Sequence, residues 1–252
     1  MLFLKKTRVK ISRVYFLGEM FMKKIKLPSE GVYLVALVLL SLAVAILTQA
    51  NFGVSMIVAP AYLLSLRLGV ITFGQAEYIV QGILFIILCV VLKKFKPVYL
   101  MSFVTCLIYG FVLDLWRKLP CFNSSVTPPE SIPFWVRIVM YIIGMILTSF
   151  SIALFYKTYL YPQVYDFFVK AVTVKYNANL SLFKTCFDVT MLIISVIMSL
   201  CFFKGFTGIG VGTIVLAVFN GTLIGFFSKQ LDRYFVFKPI FRPFSKKFDL
   251  KV

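Results

Sequence analysis

Residues 53–69 read GVSMIVAPAYLLSLRLG. The stretch is apolar almost throughout, with Pro60 near its middle and Arg67 near its end. A helix needs about 20 residues to cross a hydrocarbon core of about 30 Å. This one is too short to cross and too apolar to be a solvated loop. A re-entrant half-helix and an interfacial amphipathic helix are the physical options. Residues 161–179, YPQVYDFFVKAVTVKYNAN, pose the same problem. They open on Tyr161 and Pro162 and carry Asp166, Lys170 and Lys175 among aromatics and valines.

The sequence on either side of these segments predicts six full spans, near 31–50, 73–92, 97–115, 133–155, 181–203 and 206–228. The composition agrees. The chain has 252 residues, 61% hydrophobic and 14% charged, with a mean hydropathy of +0.95. Soluble domains average about 45–50% apolar and about 25% charged residues. A soluble enzyme is therefore excluded, and the expected fold is an all-α polytopic transmembrane helix bundle. It divides into a basic segment (1–30), a six-span domain (31–228, with halves 31–115 and 133–228) and a basic tail (229–252). Residues 1–30 lack the apolar core and small-residue cleavage site of a signal peptide. Met22, followed by Lys23 and Lys24, reads as a natural start.

Offsetting the chain by 107 residues lays the two short segments over one another, with Ser55 on Pro162. Gly74 then falls on Ser181, Glu77 on Lys184 and Gln81 on Asp188. The match is one of pattern rather than letters, and chance similarity of apolar runs is the competing explanation. Each half holds three spans, an odd number, so a true repeat would be inverted in the membrane. That is the arrangement of secondary transporters with broken helices and a midplane site.

The net charge is +18, from 27 Lys+Arg against 9 Asp+Glu. The cations cluster at the ends and in short loops, where they set membrane orientation rather than bind nucleic acid. In a six-span arrangement 21 fall on the side of the chain ends and five on the other, with Lys184 inside a span. Both termini are therefore expected in the cytoplasm.

Ionisable groups inside a bilayer are costly and mark sites. Asp188 leads the candidates, about 10 Å into span five at 1.5 Å per residue. Lys184 lies one turn earlier and can pair with it. The pair is either a solute or coupling-ion site or a structural ion pair. Glu77 and Gln81 are the i, i+4 pair of span two, with Glu77 near enough to the surface to snorkel. Asp166 and Lys170 form a third such pair on the inner short segment. Asn51, at the end of span one, and Asn220, in span six, are amides of the kind that broken-helix sites use; interhelical hydrogen bonding is their other reading. Asp114, beside Trp116, Arg117 and Lys118, reads as an interfacial anchor. Gly208 and Gly212 read as a helix-packing GxxxG, as do Gly221 and Gly225.

There is no histidine, which removes histidine triads, general bases and metal ligands. The glycine run 205–215 lacks the strand–helix context of a dinucleotide loop. No cofactor is expected. Of the five cysteines, four lie in apolar runs as packing residues.

The stretch TQANFGVSMIVAPAYLLSLRLGVITFGQAEYIVQGILF (48–85), with YPQVYDFFVKAV in the second half, resembles the YczE/YyaS/YitT group of bacterial integral membrane proteins, in particular its shorter members of unknown function. The resemblance covers about residues 31–228 and implies five or six helices and a bacterial cytoplasmic membrane. The group's second half commonly shows Gly-Pro with an acidic residue two positions on. Here no glycine precedes Pro162 and Asp166 is four positions on.

Two functions fit. One is a secondary transporter or permease for a small solute or ion, sited between inverted repeats. The other is a membrane-embedded solute-binding or accessory subunit serving a protein partner. A homo-oligomer fits either. An enzyme does not, for want of a catalytic constellation.

Overall fold

The computed structural model describes residues 24–93, 95–245 and 248. Most of the basic N-terminal segment, with Met22, lies outside the described residues, as do Lys94 and tail positions 246, 247 and 249–252. The described chain runs α1 (Ser29–Ala50), α2 (Ala59–Leu68), α3 (Phe73–Leu92), α4 (Leu100–Lys118), α5 (Phe134–Tyr156), α6 (Val164–Tyr176), α7 (Leu180–Phe203) and α8 (Val211–Tyr234), then a short α9 (Arg242–Ser245). Among the described residues, six helices are long and apolar enough to cross a membrane: α1, α3, α4, α5, α7 and α8. They match the six expected spans, although the last runs from Val211 to Tyr234, about five residues later than the hydropathy placed it. The glycines at 205–210 cause the shift. Gly208 takes a left-handed φ of +69°, so this run is a loop and not the start of the helix.

α1 and α5 pack along one another at the centre. The other contacts come in exchangeable pairs. α1 packs on α4 as α5 packs on α8, and α2 packs on α3 and α7 as α6 packs on α7 and α3. The pairing reaches single atoms. The 107-residue offset carries Val54 onto Tyr161, and each carbonyl accepts from a threonine of the other half. Thr213 Oγ1 donates to Val54 O at 2.8 Å and Thr105 Oγ1 to Tyr161 O at 3.0 Å. α3 and α4 pack closely, whereas their counterparts α7 and α8 scarcely touch.

α2 and α6 are wedged into the bundle, with Leu63 and Phe167 fully buried. Each starts near the middle of the molecule and ends at an opposite end of α3. Gly69, at the end of α2, leads at once to Thr72, the N-cap of α3. Lys175, in the last turn of α6, donates to the carbonyls of Val91 and Leu92 at the far end of α3.

Local chemistry fixes these ends. Thr72 and Gln75 form a capping box on α3. Asp114 completes it, accepting from the Thr72 hydroxyl and from Gly74 N at 2.8 Å. Asp114 is thus a helix cap across α3 and α4 rather than a free interfacial anchor. Glu77 does not snorkel: α4 and α6 cover it and its side chain is fully buried. Gly208, Gly210 and Gly212 do not form a GxxxG face but dock on the first break. Gly212 N donates to Phe52 O at 2.8 Å and Val54 N to Gly208 O at 3.0 Å. Gly221 and Gly225 have open space where a Cβ would stand. The five cysteines are free, and Cys106 is the one that packs as a fully buried residue; Cys186 and Cys201 lie exposed on α7.

One feature of the sequence went unread. β1 (Ile25–Pro28) and β2 (Phe235–Lys238) pair in parallel, so the start of α1 and the end of α8 lie on one face of the bundle. Lys24 Nζ bonds Asp232 O at 2.7 Å, and Lys157 pairs with the Asp232 carboxylate at 2.7 Å. Glu30 accepts from Ile240 N and from the Tyr159 hydroxyl at 2.8 Å. Burial, and then the Glu30 carboxylate, push the Tyr159 phenol up to about 12, which keeps it a donor. Within the basic tail Phe248 is buried, its ring 5.0 Å from that of Tyr161.

The α3–α4 contact depends on Gly74 and Gly110. A Cβ on Gly110 would stand 2.9 Å from the Gly74 carbonyl oxygen. Gly110→Val should therefore cost about 1–3 kcal/mol through overpacking. Gly225→Val, placed in open space, should be close to neutral. Thermal unfolding of the two variants in detergent checks the difference, and equal midpoints would contradict the packing.

Candidate functional site

A cavity of about 300 Å³ lies between α1, α5, α7 and α8. Its floor is made by both breaks, Ser55–Val58 from the first half and Pro162–Gln163 from the second. Each break ends on the N-terminus of a short helix. Ser55 O accepts from Val58 N and Ala59 N to turn the chain into α2, and Pro60 in the first turn suits a position that needs no N–H. α6 starts after Gln163, and its first N–H, that of Val164, is taken by Gln81 Oε1 of α3 at 3.1 Å. Two helix N-termini, each the positive end of a helix dipole, thus face one volume.

The charged wall comes from α6 and α7. Asn179 caps α7 by accepting from Leu182 N at 3.1 Å, and Lys184 and Asp188, one turn apart within its first three turns, line the cavity. Lys184 Nζ lies 3.3 Å from Asp166 Oδ1 and 3.7 Å from Asp188 Oδ1. One ammonium serves two carboxylates, so with both ionised the group presents a net single negative charge. Among the described residues Asp188 Oδ1 has no hydrogen-bond partner. The expected Asp166–Lys170 pair does not form. Lys170 is exposed on α6, while Asp166 turns toward α7 because Lys184 lies there. Of the candidates, Asp188, Lys184, Asp166 and Asn220 line the cavity. Asn220 Oδ1 accepts from the Ser149 hydroxyl at 2.8 Å, tying α8 to α5 at the cavity wall.

Glu77 and Gln81 stand one layer behind. Gln81 Nε2 donates to Glu77 Oε2 at 2.9 Å and to Gln163 Oε1 at 3.1 Å. The Tyr165 hydroxyl donates to Glu77 Oε2 at 3.0 Å. The pair reaches the cavity through Gln163 and Tyr165, which line it.

Asn51 lies elsewhere. It is the left-handed C-cap of α1, with φ of 55°, on the exposed rim. Its carbonyl accepts from Arg137 Nη2 at 3.1 Å. It ends a span and takes no part in the cavity.

Gln163, Tyr165 and Tyr109 were missed in the sequence. All three line the cavity. Tyr109 is fully buried, and among the described residues its hydroxyl, like Gln163 Nε2, has no partner. An uncharged side chain in an apolar run gives no signal by hydropathy. Gln163 had one, since it follows the proline that breaks the chain.

A family model matches residues 28–229, the region from the start of α1 to the last turns of α8. The chain belongs to DUF6198, a family of unknown function. The DUF6198 match spans both breaks and every wall of the cavity. The chain is also similar to the uncharacterized protein YyaS of Bacillus subtilis (strain 168). The two are 24% identical over 210 residues, covering 82% of this chain and 95% of that protein. The YyaS-like resemblance read from residues 48–85 is thus shown. No solved structure matches.

The ion triad of this DUF6198 chain can be tested without a ligand. Lys184→Met leaves two carboxylates facing each other, whereas Asp166→Asn leaves Lys184 with Asp188. The three side chains are 21–31% exposed, so solvent screening reduces the cost of the first change to about 1–2 kcal/mol. Adding Asp166→Asn to Lys184→Met should recover part of that loss. A double-mutant cycle by thermal unfolding reads the coupling, and additive losses would show that the three groups do not act together.

Proposed function

We propose that the chain is a secondary transporter or permease for a small solute, bound in the cavity where the two breaks meet. The observation that carries this reading is the convergence itself. One broken segment from each half, each opening a short helix, lines the same cavity as Lys184, Asp188 and Asn220. Broken helices whose N-termini face a shared site are how transporters bind polar solutes in mid-bilayer. The exchangeable contacts of the halves, and short helices that end at opposite ends of α3, support an inverted repeat. In this reading the two helix ends and Lys184 hold an anionic group, Asp188 holds a cationic or donor group, and the apolar remainder of the wall takes hydrocarbon.

The proposal includes orientation. The 21 cations on the side of the chain ends, against five on the other, support a cytoplasmic location for both termini. The parallel pairing of β1 with β2 supports both ends lying on one face. Reporters fused at the two ends should both read cytoplasmic, and an external C-terminus would overturn the arrangement.

The function is tested with purified protein. Thermal stability is screened against metabolite and ion pools, beside Asp188→Asn. A ligand at about 100 times its dissociation constant should add about 2.7 kcal/mol. The gain should be lost in the variant, and the same ligand should cross liposomes containing the chain alone. Binding without flux would favour a solute-binding subunit that works with a protein partner. Full binding and flux by Asp188→Asn would remove Asp188 from the site.

A further inference from the structure

We propose that Glu77 is a proton-binding site. It is neutral in the present arrangement, and its deprotonation loosens α6 from α3 at the edge of the cavity. That this motion serves solute movement rests on the transport reading above; the proton site itself does not.

Glu77 is fully buried. Among the described residues no lysine or arginine forms an ion pair with it. An ionised carboxylate taken out of water without a cation costs several kcal/mol, which protonation avoids. Its two oxygens differ. Oε2 accepts from Gln81 Nε2 and from the Tyr165 hydroxyl, at 2.9 and 3.0 Å. Among the described residues Oε1 has no partner, so no donor stabilises a negative charge on it. The neighbours are titratable but uncharged in type. Tyr165 faces Glu77 from α6. From α4, Cys106 lies against it, with Sγ 3.7 Å from the Glu77 carbonyl oxygen, and Tyr109 follows one turn later. From α2, Tyr62 packs on Phe73, a turn before Glu77. On α3 itself, Tyr78 bonds Leu107 O on α4. Charged groups contact α3 at its ends: Asp114 at Thr72 and Gly74, Arg117 over the Phe73 ring, and Lys175 at the Val91 and Leu92 carbonyls.

The position gives the proton a mechanical consequence. Glu77 and Gln81 together hold the first turn of α6, through Val164 N, Gln163 Oε1 and the Tyr165 hydroxyl. Loss of the proton toward the cavity leaves a carboxylate in a dry interface. That charge is stabilised only if water enters, and water enters only if the first turn of α6 moves away. Tyr165 and Gln163 belong to both the interface and the cavity wall, so the motion changes the cavity.

The test uses the full chain in lipid nanodiscs, with no added solute. Infrared spectra at neutral pH should show the carbonyl stretch of a protonated carboxylic acid. It should vanish at alkaline pH and be missing in Glu77→Gln. Opening is read at Cys106, which is fully buried beside Glu77. With Cys89, Cys121, Cys186 and Cys201 replaced by Ser, maleimide labelling of Cys106 is compared with that of the same chain carrying Glu77→Gln. The ratio cancels the intrinsic pH dependence of the thiol. It should rise about tenfold for each pH unit up to the infrared midpoint and level off above it. Tyr165→Phe removes one donor to Oε2 and should move both midpoints to higher pH. That variant decides the matter if Glu77→Gln does not fold. An acid band that survives Glu77→Gln, equal labelling profiles in the two chains, or unmoved midpoints in Tyr165→Phe would each overturn the proposal. Its failure would leave the cavity reading standing, and a failed ligand screen would leave the proton site standing.

Discussion

The structure depends on one constraint, the satisfaction of broken backbone inside an apolar bundle. An unpaired peptide group in hydrocarbon costs several kcal/mol, so non-helical chain survives there only when protein supplies its partners. Each half of this chain has such a break, and the other half repairs much of it. The first break is held by Gly208 O, Gly212 N and the Thr213 hydroxyl. The second is held by Thr105 from α4 and Gln81 from α3. Gly53 shows how tight the fit is. Its φ is +107°, and a Cβ there would stand 2.6 Å from Gly210 N. With the backbone satisfied crosswise, each half completes the broken segment of the other, and the cavity is the space left where the breaks meet.

The exchange is not perfect, and the departure shapes the site. α3 and α4 are drawn together by Gly74 and Gly110, with Asp114 as a shared cap. At the matching place in the second half, α7 and α8 stand apart. The first half therefore presents a closed, neutral network at Glu77, and the second an open one charged by Lys184 and Asp188. Glu77 and Lys184 correspond under the 107-residue offset. Equivalent positions have thus been given opposite treatments, one sealed between helices and one left facing the cavity.

Much of this was legible in the sequence because lipid imposes simple rules on length and polarity. Five of the six spans fell within a few residues of their helices. The two short segments were marked by being too short to cross and too apolar for water. Lys184 and Asp188 were legible because i, i+4 spacing is local. What failed was nonlocal. Asp166 pairs with Lys184 across a chain reversal, which no spacing within α6 announces. Glu77 is sealed by α4 and α6, which the count of residues from the end of its own helix does not reveal. The glycines at 208 and 212 fit a packing motif by interval, but their partners are the backbone of Val54 and Phe52, far away in sequence. Tyr109 is an aromatic residue in an apolar run until its unpartnered hydroxyl is seen at the cavity wall.

The parallel clasp of β1 with β2 bears on biosynthesis. Its strands are separated by about 210 residues, so Ile25–Pro28 is made long before its partner exists. At 5–20 residues per second, roughly 10–40 s pass between the two. Through that interval Glu30 has neither Ile240 nor Phe241 to bond. The clasp closes only after the last span has entered in the right sense, since a misplaced α8 would carry Phe235–Lys238 to the wrong face. It therefore acts as a latch on finished insertion, and a chain stalled or misrouted at any span would leave β1 without its partner strand.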